Sequence, residues 1–134
     1  MSVQIGLQAA LTGALRDHAP LGTLTGVFDA PPVRAALPYA VVGEAVLADW
    51  STKDTKGREA RVAVMLHDGG ERPARLRLLA GEVETAIAAM PRDLGDGWRI
   101  VSLAFVRSRI VPNGAGRWIA TSEYRVRMLE SGGN

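Results

Sequence analysis

Apolar residues recur at helical spacing near the start of the chain. Val3, Leu7, Ala10, Leu11, Ala14 and Leu15 form one stripe, which predicts an amphipathic helix over residues 2–18. Ser2 suits the N-cap and Pro20 the stop, while Ile5 falls off the stripe and is expected to be exposed. Residues 19–38 read as a connector in which Gly26-Val27-Phe28 suits a short edge strand. Pro31, Pro32 and Pro38 leave little room there for regular structure.

From residue 38 the period changes to two, predicting a strand over 38–49, a polar loop over 50–57 and a strand over 58–67. Setting Asp49 opposite Arg58 brings Leu47 to Ala60, Ala45 to Val62, Gly43 to Val64 and Val41 to Leu66. That face is wholly apolar, as a core-facing side should be. Val42, Glu44 and Val46 share the other face with Arg61, Ala63 and Met65, so Glu44 and Arg61 are expected to form a structural pair. Helical spacing returns over 71–90, with Leu76, Leu79, Ala80, Val83, Ile87 and Met90 as the stripe, Pro73 in the first turn and Pro91 beyond the end. Residues 93–97 make a turn. Strands over 98–110 and 117–129 then form a second hairpin across Pro112-Asn113-Gly114-Ala115-Gly116. Its apolar pairs are Phe105 with Tyr124, Leu103 with Val126 and Val101 with Met128.

This order predicts an α+β fold: an antiparallel or mixed sheet of about four to five strands, built from two long hairpins, with two helices packed on it. No repeat or linker divides the chain, so residues 1–134 read as a single domain with 131–134 as a frayed tail.

Composition narrows the chemistry. There is no cysteine, which excludes disulfides, thiol nucleophiles and thiolate metal sites. No signal peptide and no membrane-length apolar run is visible. The net charge is only +2, and Lys53 and Lys56 are the only lysines among 16 basic residues, the rest being arginine. No basic cluster is dense enough to argue for phosphate binding by itself, and a nucleic-acid reading would require steeply salt-dependent DNA affinity. His18 and His67 are the two histidines. The neighbours His67 and Asp68 suggest a remote hydrolase reading, but no serine stands in a nucleophile elbow. Asp93 and Asp96 lack the spacing and distal glutamate of a calcium loop. Gly114-Ala115-Gly116 leads into a strand rather than a helix, which removes the phosphate-binding geometry. No catalytic residue, metal ligand or cofactor site is assigned.

The unusual feature is surface. Arg107, Arg109, Ile110, Val111, Arg117 and Trp118 gather toward the tip of the second hairpin, and Trp50, Lys53 and Lys56 mark the first. Apolar residues at a tip call for a partner or a covering element, and Trp and Arg are favoured interface anchors. For Trp50 and Trp118 the alternative is packing against the chain's own 19–38 segment.

Several short motifs, taken in order, resemble one family. They are the Ala/Leu-rich first helix, Pro38-Tyr39-Ala40-Val41-Val42-Gly43-Glu44, Asp49-Trp50-Ser51-Thr52-Lys53, Gly57-Arg58-Glu59, Leu66-His67, Gly97-Trp98-Arg99-Ile100-Val101, Phe105 and Tyr124-Arg125-Val126-Arg127. The pattern resembles the tail-completion, or tail terminator, proteins of long-tailed phages and phage-like gene transfer agents. The resemblance implies a non-enzymatic virion protein without cofactors. It implies a homo-oligomeric ring, usually a hexamer, at the head-proximal end of the tail tube, where it ends tube polymerisation. Its implied partners are further copies of itself, the tail tube protein and a head–tail connector or stopper protein. DNA would cross the pore without sequence-specific binding, and assembly would take place in the host cytoplasm without a membrane. Another neck component, such as a head-completion or stopper protein, is the alternative, and virus versus gene transfer agent stays open.

Overall fold

Two helices lie on one face of a seven-stranded mixed sheet in a computed structural model that describes residues 2–131. The elements run α1 (Val3–Arg16), a 3-10 turn (Ala19–Leu21), β1 (Val27–Phe28), β2 (Tyr39–Val42), β3 (Val46–Asp49), β4 (Gly57–Gly69), α2 (Ala74–Ala88), β5 (Asp93–Gly95), β6 (Trp98–Pro112) and β7 (Arg117–Glu130). The sheet order is β1-β2-β4-β7-β6-β5, with β3 also paired to β4. β1 is parallel to β2, and every other pairing is antiparallel.

The helical stripes do what their spacing predicts. Leu7, Leu11 and Leu15 of α1 are buried, and so are all six residues of the second stripe, Leu76, Leu79, Ala80, Val83, Ile87 and Met90. They meet Ala60, Val62, Val64 and Leu66 of β4 and Ala120, Tyr124, Val126 and Met128 of β7 in one continuous core. Each fully buried leucine contributes about 1.5–3 kcal/mol. Polar bonds fix α1 laterally: Gln8 donates to the Val42 carbonyl (3.3 Å) and Arg16 to the Val27 carbonyl (2.6 Å). The predicted N-cap, Ser2, precedes α1 in extended conformation and caps it through its carbonyl rather than its hydroxyl.

The sheet has more strands than the period-two pattern predicts, for two reasons. β1 and β5 are only two and three residues long, too short to show a period. The predicted 38–49 strand is also broken in two. Val42 lies opposite Val64 but Val46 lies opposite Arg61, so four steps along this chain span three on β4. The extra residue is a β-bulge at 43–45, and it inverts the alternation. Downstream, the predicted pairs Asp49–Arg58 and Leu47–Ala60 form. Upstream, Ala40 faces Leu66 and Val42 faces Val64, in place of Val41 and Gly43. The core thereby gains the Val42 side chain, fully buried, where a uniform register would have placed a glycine.

The second hairpin keeps the predicted pairs Phe105–Tyr124 and Leu103–Val126. Two further bulges interrupt β6, at Val101 and Val106, and Ile100 replaces Val101 opposite Met128. The expected frayed tail lies outside the described residues from 132 onward. Ser131 is held, its N–H and hydroxyl both donating to the Gly97 carbonyl (2.6 and 2.9 Å).

Candidate functional site

β4 pairs with β7 along its whole length, from Gly57 opposite Leu129 to Gly69 opposite Arg117. Sequence reasoning finds both hairpins but not this seam between them. The seam places the two hairpin loops at opposite ends of one long strand, roughly 40 Å apart. Trp50, Lys53 and Lys56 sit at the Gly57 end, whereas Ile110, Val111, Arg117 and Trp118 sit at the Gly69 end, with Arg109 one step further in.

At the Gly57 end the loop folds back on its own strand. The Trp50 N–H donates to the Gly57 carbonyl (3.0 Å), and the Gly57 N–H donates to the Ser51 hydroxyl (3.0 Å), which in turn donates to the Asp49 carboxylate (2.6 Å). The Ser51 hydroxyl and N–H, with Arg58 nearby, hold the Asp49 carboxyl below its ordinary pKa. The Trp50 indole is half-buried under the Arg127 guanidinium, 5.2 Å from the ring centre. That contact is a cation–π stack. Trp50 therefore packs on its own chain, against β7 rather than the 19–38 segment, and Lys53 and Lys56 are the exposed side chains it positions.

At the Gly69 end the second tip, expected to need a partner or a covering element, is partly covered by its own chain. Trp118, Ile119 and Ala120 are paired with Asp68, His67 and Leu66 of β4, while Val111 stays exposed on β6. Ile110 and Trp118 pack against the core, and the Trp118 indole N–H donates to the Gly70 carbonyl (3.0 Å). Trp118→Phe is expected to lose about 1 kcal/mol, read as a shifted urea midpoint with unchanged slope. Arg107 pairs with Glu123 (2.6 Å), and Arg109 and Arg117 stand exposed.

The remaining charged residues fall elsewhere than the uniform register placed them. Glu44 is in the bulge, where it accepts a hydrogen bond from Gln4 (3.3 Å). Arg61 lies opposite Val46 on one side and Arg125 on the other, and among the described residues no ion pair joins it to Glu44. Glu59 instead pairs with Arg127 (2.8 Å), which lowers its carboxyl pKa.

His67 and Asp68 do not form a dyad, because strand neighbours point to opposite faces. His67 stacks on Tyr39 with ring centres 4.6 Å apart, and burial lowers its pKa. Asp68 points into the core side, where Arg75 grips it with two hydrogen bonds (2.8 and 2.5 Å) and the Gly69 N–H adds a third (2.8 Å). His18 meets Glu82 (2.8 Å) at the far end of the helical layer. Tyr124 is buried, and burial pushes its pKa up to about 12. Between α1 and α2 runs an apolar groove of about 570 Å³ lined by Ile5, Ala9, Ala10, Ala86 and Met90 among others. Among the described residues no cluster of three or more His, Asp or Glu could hold a metal ion, and no helix is long and apolar enough to cross a membrane.

Sequence reasoning missed the exposed apolar side chains. Val101 and Phe105, expected in the core, are 41% and 49% exposed, and Val106 beside them is 43% exposed. The signal was present as the apolar doublets Ile100-Val101 and Phe105-Val106, which break the alternation where the bulges occur.

The fold and its surfaces define a small α+β domain with a long sheet, two opposed loop ends and an apolar open edge. These are features of a protein that contacts other proteins. The family model described as "Tail completion protein gp17" matches residues 9–129, and the chain belongs to this tail-completion family of structural phage-tail proteins. Among solved structures it is similar to a chain of the "Virion of native gene transfer agent (GTA) particle", at 28% identity and a TM-score of 0.77, covering 92% of this chain and 94% of that one. A comparison with curated proteins gave no match.

Proposed function

We propose that this chain is the tail terminator of a phage-like particle. Copies of it form a ring, six by the resemblance, at the head-proximal end of the tail tube. The ring ends tube polymerisation and joins the tail to a connector or stopper at the neck, and DNA crosses its pore without sequence-specific contacts. The subunits fold and assemble in the cytoplasm of the producing cell.

The placement of the two loop sets at opposite ends of β4 carries this reading. A terminator must present one surface to the tube and a different one to the neck. A rigid thirteen-residue strand with Trp50, Lys53 and Lys56 at one end and Val111 and Arg117 at the other supplies two separate surfaces. Family membership and the likeness to a gene transfer agent virion chain support the same role.

Deleting the gene in the producing cell tests it. Tails of uncontrolled length without heads, returned to uniform length by the native gene, are the expected result in negative-stain micrographs. Tails of uniform length beside heads that have lost their DNA would instead make this a head-completion or stopper protein.

A further inference from the structure

The sheet has two bare edges, and they are complementary. Beyond its first residues β6 has no outer neighbour, and β3 has none beyond β4. The β6 edge shows Val101, Phe105 and Val106, and the strand carries Arg99, Arg107 and Arg109 with no acidic residue. The β3 edge shows Val46, 69% exposed, and residues 43–52 carry Glu44 and Asp49 with no Lys or Arg. Arg109 makes no hydrogen bond or ion pair with any described residue, and the Asp49 side chain is 75% exposed despite its contact with Arg58. Each edge alone leaves apolar side chains facing water, beside Arg109 on β6 and beside Glu44 and Asp49 at β3.

We propose that the β6 edge of one copy packs against the β3 edge of the next copy. Phe105 and Val106 meet Val46, and Arg109, three residues beyond Val106, comes beside Glu44. The contact is made by side chains. The bulges at Val101 and Val106 kink β6, which opposes extension of the backbone ladder from one copy into the next. Two different, matching surfaces on opposite sides of one subunit form a heterologous interface, which closes into a ring when the rotation between copies is right. The inference rests on the ring reading above and names the interface within it.

The chain has no cysteine, so a cross-linking test starts from a clean background. Val46 and Val106 lie on opposite edges with β4 and β7 between them, three strand spacings or roughly 14 Å apart, too far for an internal disulfide. Particles are purified from cells making Val46→Cys/Val106→Cys, oxidised with copper phenanthroline to form disulfides and run on a non-reducing denaturing gel probed for this chain. A ladder of covalent multimers that stops at the ring size is expected, with none from either single variant. A lone monomer band from particles that contain the chain overturns the edge pairing and leaves the ring standing. Absence of the native chain from purified particles overturns the ring as well.

Should the cysteine variants fail to assemble, charge reversal decides. Arg109→Glu and Glu44→Arg should each cut incorporation into particles about tenfold, and the two together should restore most of it. Native incorporation of both single variants overturns the proposal, and so does a double variant no better than either single one.

Discussion

Gly57→Ala is expected to lower stability by about 3 kcal/mol and to open the loop that carries Trp50, Lys53 and Lys56. A Cβ at this buried position would stand 2.4 Å from the Trp50 carbonyl oxygen and 2.9 Å from a Leu129 methyl. The first neighbour is backbone and cannot swing away, so the loop must lift. Lifting it strains the bonds from the Trp50 N–H to the Gly57 carbonyl and from the Gly57 N–H to the Ser51 hydroxyl, and it draws the indole off Arg127. Urea denaturation reads the loss, and a quenched or shifted tryptophan emission before global unfolding would show the loop opening first. Gly81→Ala is the control. Nothing lies within 4 Å of its added Cβ, and it sits inside α2, so it should stabilise by about 0.5–1 kcal/mol. Equal, small effects from the two substitutions would mean that the loop is not clamped at Gly57.

The contrast between these glycines shows what kind of information the sequence holds. Period and turn chemistry are local, and where they governed the outcome they were readable. The α2 stripe is buried residue for residue, and the pairs Asp49–Arg58, Leu47–Ala60, Phe105–Tyr124 and Leu103–Val126 form as the alternation requires. A bulge breaks this because one inserted residue turns every later side chain over. Val42 for Gly43 and Ile100 for Val101 are both exchanges of that kind. In each, the residue facing the core is the one whose burial the helices can use. The seam between β4 and β7 was illegible for another reason: both are long, regular strands, and nothing within either names its neighbour. The same holds for the stack of Arg127 on Trp50, and for the pairing that covers Trp118. The candidate contact residues were therefore readable as a set, but their division between two ends of the molecule was not. The acidic and basic edges were also present in the sequence, as residues 43–52 and 98–112, without any sign that the fold sets them on opposite sides.

Arg75→Ala should be the most damaging single charge removal at neutral pH. Asp68 is buried at the end of β4, and Arg75, more than half exposed, reaches back from the first turn of α2 to hold both its oxygens. Truncating the arginine leaves a buried carboxylate with only the Gly69 N–H, whereas truncating the aspartate frees a guanidinium that can return to water. Asp68→Ala should therefore cost less than Arg75→Ala, an order opposite to that of their burial. The pH dependence separates this from simple loss of packing. In the native chain the hydrogen bonds from Arg75 hold the Asp68 carboxyl below its ordinary value. Its stabilisation is then complete above about pH 4, the unfolded pKa, and is lost as pH falls through the lower folded value. In Arg75→Ala burial without a cation raises that pKa, so the variant is penalised most where the carboxylate must stay charged. The gap in unfolding free energy between native and variant should narrow steadily from pH 7 toward pH 3. A gap of constant size would show that Arg75 acts through its methylene packing on α2. Because this bridge fastens the start of α2 to the Gly69 end of the sheet, the variant should also loosen the end at which Val111 and Arg117 are displayed. Hydrogen exchange at 66–70 and 117–120 measures that loosening directly, and faster exchange confined to those segments is the expected pattern.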